Sequence, residues 1–124
     1  MRLLVCGGRD FKDAPWLNAV LDRLRANLYD RGLVLTAIIH GDARGADRLA
    51  KQWAESRGVP HQPFPAKWTK YGKAAGSIRN QQMLDEGKPD AVLAFDGGNG
   101  TQDMVDRARK AGLKVTQVTK PVAE

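Results

Sequence analysis

The residues best suited to chemistry collect in three glycine-rich segments: Gly7-Gly8-Arg9-Asp10, Gly41-Asp42-Ala43-Arg44-Gly45-Ala46-Asp47 and Asp96-Gly97-Gly98-Asn99-Gly100-Thr101. Glycine carries no Cβ, so a phosphate can come close to the backbone. A helix that starts at such a turn adds unpaired N–H groups and the positive end of its dipole. Gly97, Gly98, Gly100 and Thr101 suit that role best. Arg9, Arg44 and Arg79 stand in or just beyond these connections, where a guanidinium can hold phosphate oxygens in a bidentate fork. A glycine cluster alone also fits an ordinary tight turn, and neither GxGxxG nor GxxxxGK[ST] occurs in the three segments. What points to a ligand is their convergence on one edge of one sheet.

Carboxylates accompany the glycines. Asp42, Asp47, Asp96 and Asp103 are placed to bind a ribose hydroxyl or steady a water, although Asp47 and Asp103 also fall in first helical turns, where the dipole favours acids in any protein. His40 directly precedes its glycine turn and reads either as an acid or base facing the ligand or as a hydrogen-bonded structural residue. No cysteine or second histidine gives it metal-ligand spacing, so no metal is expected. His61 is assigned no role. The connection from Pro65 to Ala75 mixes Lys67, Lys70 and Lys73 with Trp68 and Tyr71, as a lid, a base-stacking platform or a partner interface would.

The elements that must position these residues are legible as an alternation. Leu3–Cys6 is a short apolar run ended by Gly7-Gly8, the pattern of a strand buried on both faces. Asp13 can cap a helix with Pro15 in its first turn, and Leu17, Val20, Leu21, Leu24 and Leu28 keep helical spacing up to Gly32. Residues 33–39 read as the second strand, and Ala46, Leu49, Ala50, Trp53 and Ala54 as the second helix, closed by Gly58. Val59 to Phe64 holds Pro60 and Pro63, which lack ladder donors and suit a short edge strand. A helix from Gly76 or Ser77 to Glu86, a buried strand over residues 90–95, a helix from Thr101 to Ala111 and a last strand from Leu113 to Val118 complete the chain. Strict alternation predicts a Rossmann-like, three-layer αβα fold with a five-stranded, mainly parallel sheet in one domain over residues 1–124. In such a sheet all strand carboxyl ends share one edge, and ligands bind where the strand order reverses.

Composition narrows the classes. The 124 residues are 42% hydrophobic and 27% charged, which is globular usage, and no apolar run approaches the roughly 18 residues that span a bilayer. A membrane is therefore not an expected partner, and a cytoplasmic location is. The lone Cys6 forms no internal disulfide and reads as a buried thiol. A net charge of +6 favours anionic partners without a continuous basic arm.

The motifs Gly7-Gly8-Arg9-Asp10-Phe11, His40 to Asp47, Trp68 to Asn80 with Met83 beyond it, and Phe95 to Thr101 together resemble the YspA-like branch of the SLOG superfamily, relatives of the Lonely Guy phosphoribohydrolases and DprA. The likeness spans nearly the whole chain. It implies a Rossmann-like fold, a nucleotide-derived ligand such as a nucleotide, ADP-ribose or an NAD derivative, and a place in bacterial or phage conflict. The Lonely Guy enzymes carry PGGxGTxxE and RKxxM, whose glutamate and arginine serve N-glycosidic cleavage. Here Arg79 and Met83 match the second motif, but Asp96 replaces the proline and Met104 the glutamate, with Asp103 one residue early. One residue turns a helical side chain by about 100 degrees, so phosphate binding transfers better than catalysis.

The leading expectation is a binding or sensing domain whose site comprises Gly7, Gly8, Arg9, Asp10, Gly41, Asp42, Arg44, Gly45, Asp47, Arg79, Asn80, Gly97, Gly98, Gly100 and Thr101, with no cofactor. A hydrolase of an N-glycosidic or phosphate-linked bond, using Arg79 with Asp96, Asp103 or Asp42, is the second. Single-stranded nucleic-acid binding is the third, and a homo-oligomer is compatible with all three.

Overall fold

The computed structural model describes residues 1–120, so the last four residues of the expected domain lie outside the described residues. The chain alternates β1 (Arg2–Cys6), α1 (Ala14–Asp30), β2 (Ala37–His40), α2 (Ala46–Ser56) and β3 (His61–Pro63), then runs through α3 (Trp68–Tyr71) and a 3-10 turn (Gly72–Ala74) into α4 (Ala75–Asp85), β4 (Ala91–Ala94), α5 (Asn99–Lys110) and β5 (Lys114–Gln117). The strands form one sheet in the order β3-β2-β1-β4-β5, and every pairing is parallel. This is the expected Rossmann-like α/β architecture.

Alternation along the strands separates the two core layers. Leu3 and Val5 of β1, Ile38 of β2 and Ala91 and Leu93 of β4 pack with Leu17, Leu21 and Leu28 of α1 and with Ala46, Ala50 and Trp53 of α2. Leu4, Cys6, Ile39, Val92 and Ala94 face the other way, against Met83 of α4 and Met104, Val105 and Ala108 of α5. A strand covered on both faces must be apolar at every position, which is why β1, β2 and β4 read as unbroken runs. The edge strands differ. Pro63 lies in β3, where its missing N–H costs no ladder bond, and Lys114 and Gln117 of β5 are exposed.

Local signals set several boundaries. Asp13 Oδ1 accepts the Trp16 N–H at 3.1 Å, capping α1 as its position predicts. The second strand is shorter than its apolar run: Leu33 and Val34 are exposed, and Leu33 N–H donates to Leu28 O to finish the helix, so pairing starts only at Ala37. α4 starts at Ala75, because the preceding 3-10 turn delivers the chain already in helical conformation. α5 starts at Asn99, two residues before Thr101, which places Gly100 inside its first turn.

Candidate functional site

The strand order reverses between β1 and β4. From β1 the chain turns towards β2 and β3, and from β4 it turns towards β5. The two turns diverge above the sheet and are tied by a hydrogen bond from Gly8 N–H to Asp96 O at 2.8 Å. Beside this tie opens a cleft of about 570 Å³. Its walls are Gly7 to Asp10, the turn Gly98 to Thr101, Asp47 at the start of α2, and Ser77, Arg79 and Asn80 of α4, with Trp68 and Lys73 at the rim. Cys6, Met83 and Met104 lie at its floor. Two depressions of about 650 and 660 Å³, on the outer side of α4 and along α1, are somewhat larger but contain no glycine turn. The switch-point cleft combines glycine-turn backbone with the buried Asp47 and Arg79.

The glycines divide into two kinds. A Cβ at Gly7 would lie 2.5 Å from Ala46 Cβ, and one at Gly8 would lie 2.9 Å from Asp96 O. Gly45 has φ +87° and presses on Gly8 O, Gly41 presses on the Arg79 guanidinium, and Gly97 presses on Thr101 Oγ1. These five are filled by the protein itself. Among the described residues a Cβ at Gly98 or at Gly100 would meet nothing within 4 Å, so none of them occupies the space above either. α5 has no side-chain cap at Gly98, and the N–H groups of Asn99, Gly100 and Thr101 have no partner among the described residues. An uncapped, uncovered helix start leaves backbone donors and the positive end of the helix dipole exposed.

Opposite that turn, Arg79 reaches back across the strand ends. Its Nη1 donates to Gly41 O at 2.6 Å and to Phe64 O at 3.5 Å, and its Nε donates to Asn80 Oδ1 at 3.1 Å. Nη2 has no partner among the described residues. Burial lowers the guanidinium from its ordinary value and the Asp47 charge partly restores it, yet an arginine stays cationic throughout the physiological range. Asp47 is 6% exposed, and burial raises its carboxyl to about 6 against the pull of Arg79 and of the Ala43 and Gly41 N–H groups. The site thus holds a fixed positive charge beside a carboxyl that titrates near neutrality. Burial, then the Asp47 charge, pushes the Cys6 thiol up to about 12, which leaves it protonated and unreactive.

Asn80 and Asp103 join the helices at the far wall. Asn80 Nδ2 donates to Gly100 O at 3.2 Å and to Asp103 Oδ2 at 3.0 Å, and the same oxygen accepts Arg107 Nε at 2.9 Å. Asp103 therefore lines the cleft with one oxygen already committed, whereas Met104 is 1% exposed in the core layer below. The structure does not bring every expected residue to the cleft. Gly41, Asp42 and Gly45 stand behind its wall, and Asp96 and Gly97 line a neighbouring hollow on the Phe11 side. Arg44 points outward to Asp10 at 3.5 Å, with both side chains largely exposed. Asp42 adopts φ +53°, and its buried Oδ1 lacks a hydrogen bond, with Arg48 and Lys51 no closer than 3.8 Å.

His40 and His61 show what spacing alone misses. His40 Nδ1 accepts the Asp42 N–H at 3.1 Å, so its proton sits on Nε2 and is donated to His61 Nδ1 at 3.0 Å. His61 Nε2 then faces Glu55 Oε1 at 3.6 Å. Burial, reinforced by His61, lowers His40 to about 4, keeping it neutral. The parallel register that places His40 beside Pro63 creates this pair, and the sequence separation of 21 between the two histidines hides it from a motif scan. Among the described residues no cluster of three or more His, Cys, Asp or Glu side chains could hold a metal, and no helix is long and apolar enough to cross a membrane.

The comparisons with known proteins agree with this architecture. Gene 61 protein of Mycobacterium phage D29 is 38% identical over 122 residues, covering 92% of this chain and 93% of that protein. A family model described as YspA, cpYpsA-related SLOG family matches residues 1–71, which span β1 to α3 and include the first two glycine turns. With a switch-point cleft, a relative aligned over nearly its whole length and a family model covering more than half of the sequence, this chain belongs to the YspA, cpYpsA-related SLOG family.

Proposed function

We propose that the protein binds a phosphorylated, nucleotide-derived small molecule in the switch-point cleft, with the phosphate on the N–H groups of Asn99, Gly100 and Thr101. The observation that carries this reading is the open space over Gly98 and Gly100 at the start of an uncapped α5, in a molecule whose other cleft-edge glycines are packed. Arg79 Nη2 and Arg9 supply the opposing positive charge. Charge-assisted contacts of this kind contribute about 1.5 to 3 kcal/mol each, enough for a specific site built from few residues. Calorimetric titration of the full chain with inorganic phosphate, AMP, ADP-ribose and NAD tests it. Micromolar to millimolar binding of at least one nucleotide is expected, and heat-silent titrations with all four would sink the reading. Binding that falls by decades between low and moderate salt would instead favour single-stranded nucleic acid at the exposed Lys67, Lys70 and Lys73.

A hydrolytic reading is favoured by one specific observation: Asp47 lines the cleft with its carboxyl held near 6, where it can exchange a proton at neutral pH. It suits that role better than Asp96, which lies outside the cleft, or Asp103, whose oxygen is engaged by Asn80 and Arg107. Chromatographic detection of free base or ribose phosphate from AMP, abolished in Asp47→Asn, would establish turnover. Unchanged AMP after prolonged incubation with saturated protein would leave binding alone.

A further inference from the structure

Trp68 has a different environment from the buried indole of the core. Trp53 is 1% exposed and donates its Nε1–H to Asp22 Oδ1 at 2.9 Å, whereas Trp68 is 47% exposed on the cleft rim and its Nε1 makes no hydrogen bond among the described residues. Its ring is nevertheless placed. The edge lies against Gly76 of α4, where a Cβ would stand 3.4 Å from Cη2. Over the ring sits the guanidinium carbon of Arg9, 5.1 Å from the centroid. Arg9 comes from the turn after β1 and Trp68 from α3, so the contact joins the two sides of the cleft mouth. An exposed cation over an indole is a weaker partner than a stacked nucleobase, because the cation must shed water to approach the ring while the base gains from shedding it.

We propose that Trp68 is the stacking platform for the aromatic base of a nucleotide whose phosphate lies on the Gly98–Thr101 turn, and that Arg9 covers the indole until the base displaces it. The inference rests on the phosphate reading above and adds to it the place and chemistry of the ligand's other end. Ser77 and Lys73 line the same cleft as the indole and carry polar atoms that the edge of a flat heterocycle can use. The apolar floor of Cys6, Met83 and Met104 suits the sugar carbons between the two ends. Displaced from the ring, Arg9 keeps its charge in the cleft and turns it towards the phosphate.

The test compares AMP with ribose 5-phosphate, which keeps the phosphate and lacks the base, by calorimetry and indole fluorescence on the full chain. AMP is expected to bind roughly tenfold tighter or more, as one stacked base contributes, and to quench emission that ribose 5-phosphate leaves unchanged. Trp68→Ala should bring AMP down to the affinity of ribose 5-phosphate without altering the latter, and Trp68→Phe should keep most of the difference. Should Trp68→Ala fail to fold, Trp68→Leu retains bulk without the π face and gives the same comparison. Equal affinities in the natural chain, or equal losses for both ligands in Trp68→Ala, would overturn the platform and leave the phosphate reading standing. Absence of binding by either ligand would overturn both.

Discussion

The glycines of the turns after β1 and β2 and the two glycines that open α5 after β4 serve opposite ends. Around Gly7, Gly8, Gly41 and Gly45 the missing side chains are replaced by neighbouring protein atoms: Ala46 Cβ, Asp96 O, the Arg79 guanidinium and Gly8 O. Those glycines let three chain segments pass within contact distance and so hold the strand ends together. Above Gly98 and Gly100 the same absence leaves room that no described residue fills. A glycine in a sequence therefore says that a side chain is excluded, and only the surrounding packing says whether the protein or a ligand takes the space.

The most severe way to break this contrast is Gly45→Val. A branched residue at φ +87° that also meets Gly8 O should cost roughly 3 kcal/mol or more, whereas Gly98→Val, at φ −102° in open space, should cost no more than about 1 kcal/mol. The second variant should instead lose affinity for AMP at least about tenfold, or 1.4 kcal/mol. Urea unfolding and calorimetry on both variants separate the outcomes. A stable Gly45→Val, or a folded Gly98→Val with normal affinity, would show that the two kinds of turn are not distinct.

Titration sharpens the comparison between the charge inside the cleft and the histidine behind it. Asp47 is raised from 3.8 to about 6, so its share of stability is fully present below pH 3.8 and is lost as pH rises through 6. His40 is lowered from 6.5 to about 4, so its share is fully present above pH 6.5 and is lost as pH falls through 4. Each share is roughly 3 kcal/mol, and between pH 4 and 6 their slopes oppose. Asp47→Asn should therefore steepen the loss of stability on acidification from pH 6.5 to 4.5, read as the urea midpoint at each pH. An unchanged slope would mean that Asp47 titrates as an ordinary carboxylate.

Position should also decide the value of a positive charge. Arg79→Ala is expected to weaken AMP binding by about 1.5 to 3 kcal/mol, whereas Lys110→Ala, at the last residue of α5 and the opposite edge of the sheet, removes only screened long-range attraction. The gap should persist as salt is raised, and equal losses that vanish in salt would mean a diffuse field. Because Arg79 also supports Gly41 O, Arg79→Lys, which keeps the charge and loses the fork, checks that the effect on binding is not one of folding. The smallest effect is expected from Arg44→Ala. Its ion pair is with exposed Asp10, so AMP affinity should change by less than about twofold, and a larger loss would extend the site beyond the cleft.

Local pattern determined much of this protein. Apolar runs at Leu3–Cys6 and Ala91–Ala94 and helical spacing from Leu17 to Leu28 specify elements because a strand buried on both faces and a helix covering it each impose their own period. Alternation then fixed the parallel sheet, and the sheet fixed which turns share an edge. The exposed start of the second strand escaped, since Leu33 and Val34 are apolar in sequence but are used to end a helix. Within the cleft, the turns mark Asp47 and Arg79, but their burial, and hence the raised carboxyl, depends on Gly41 and the α4 wall arriving from distant positions. Pairing of His40 with His61, the outward turn of Arg44, the engagement of Asp103 by Arg107 and the contact of Arg9 with Trp68 were decided only in three dimensions. The physical reason is the same for each: residue type states what a side chain can do, and long-range packing chooses the neighbour it does it with.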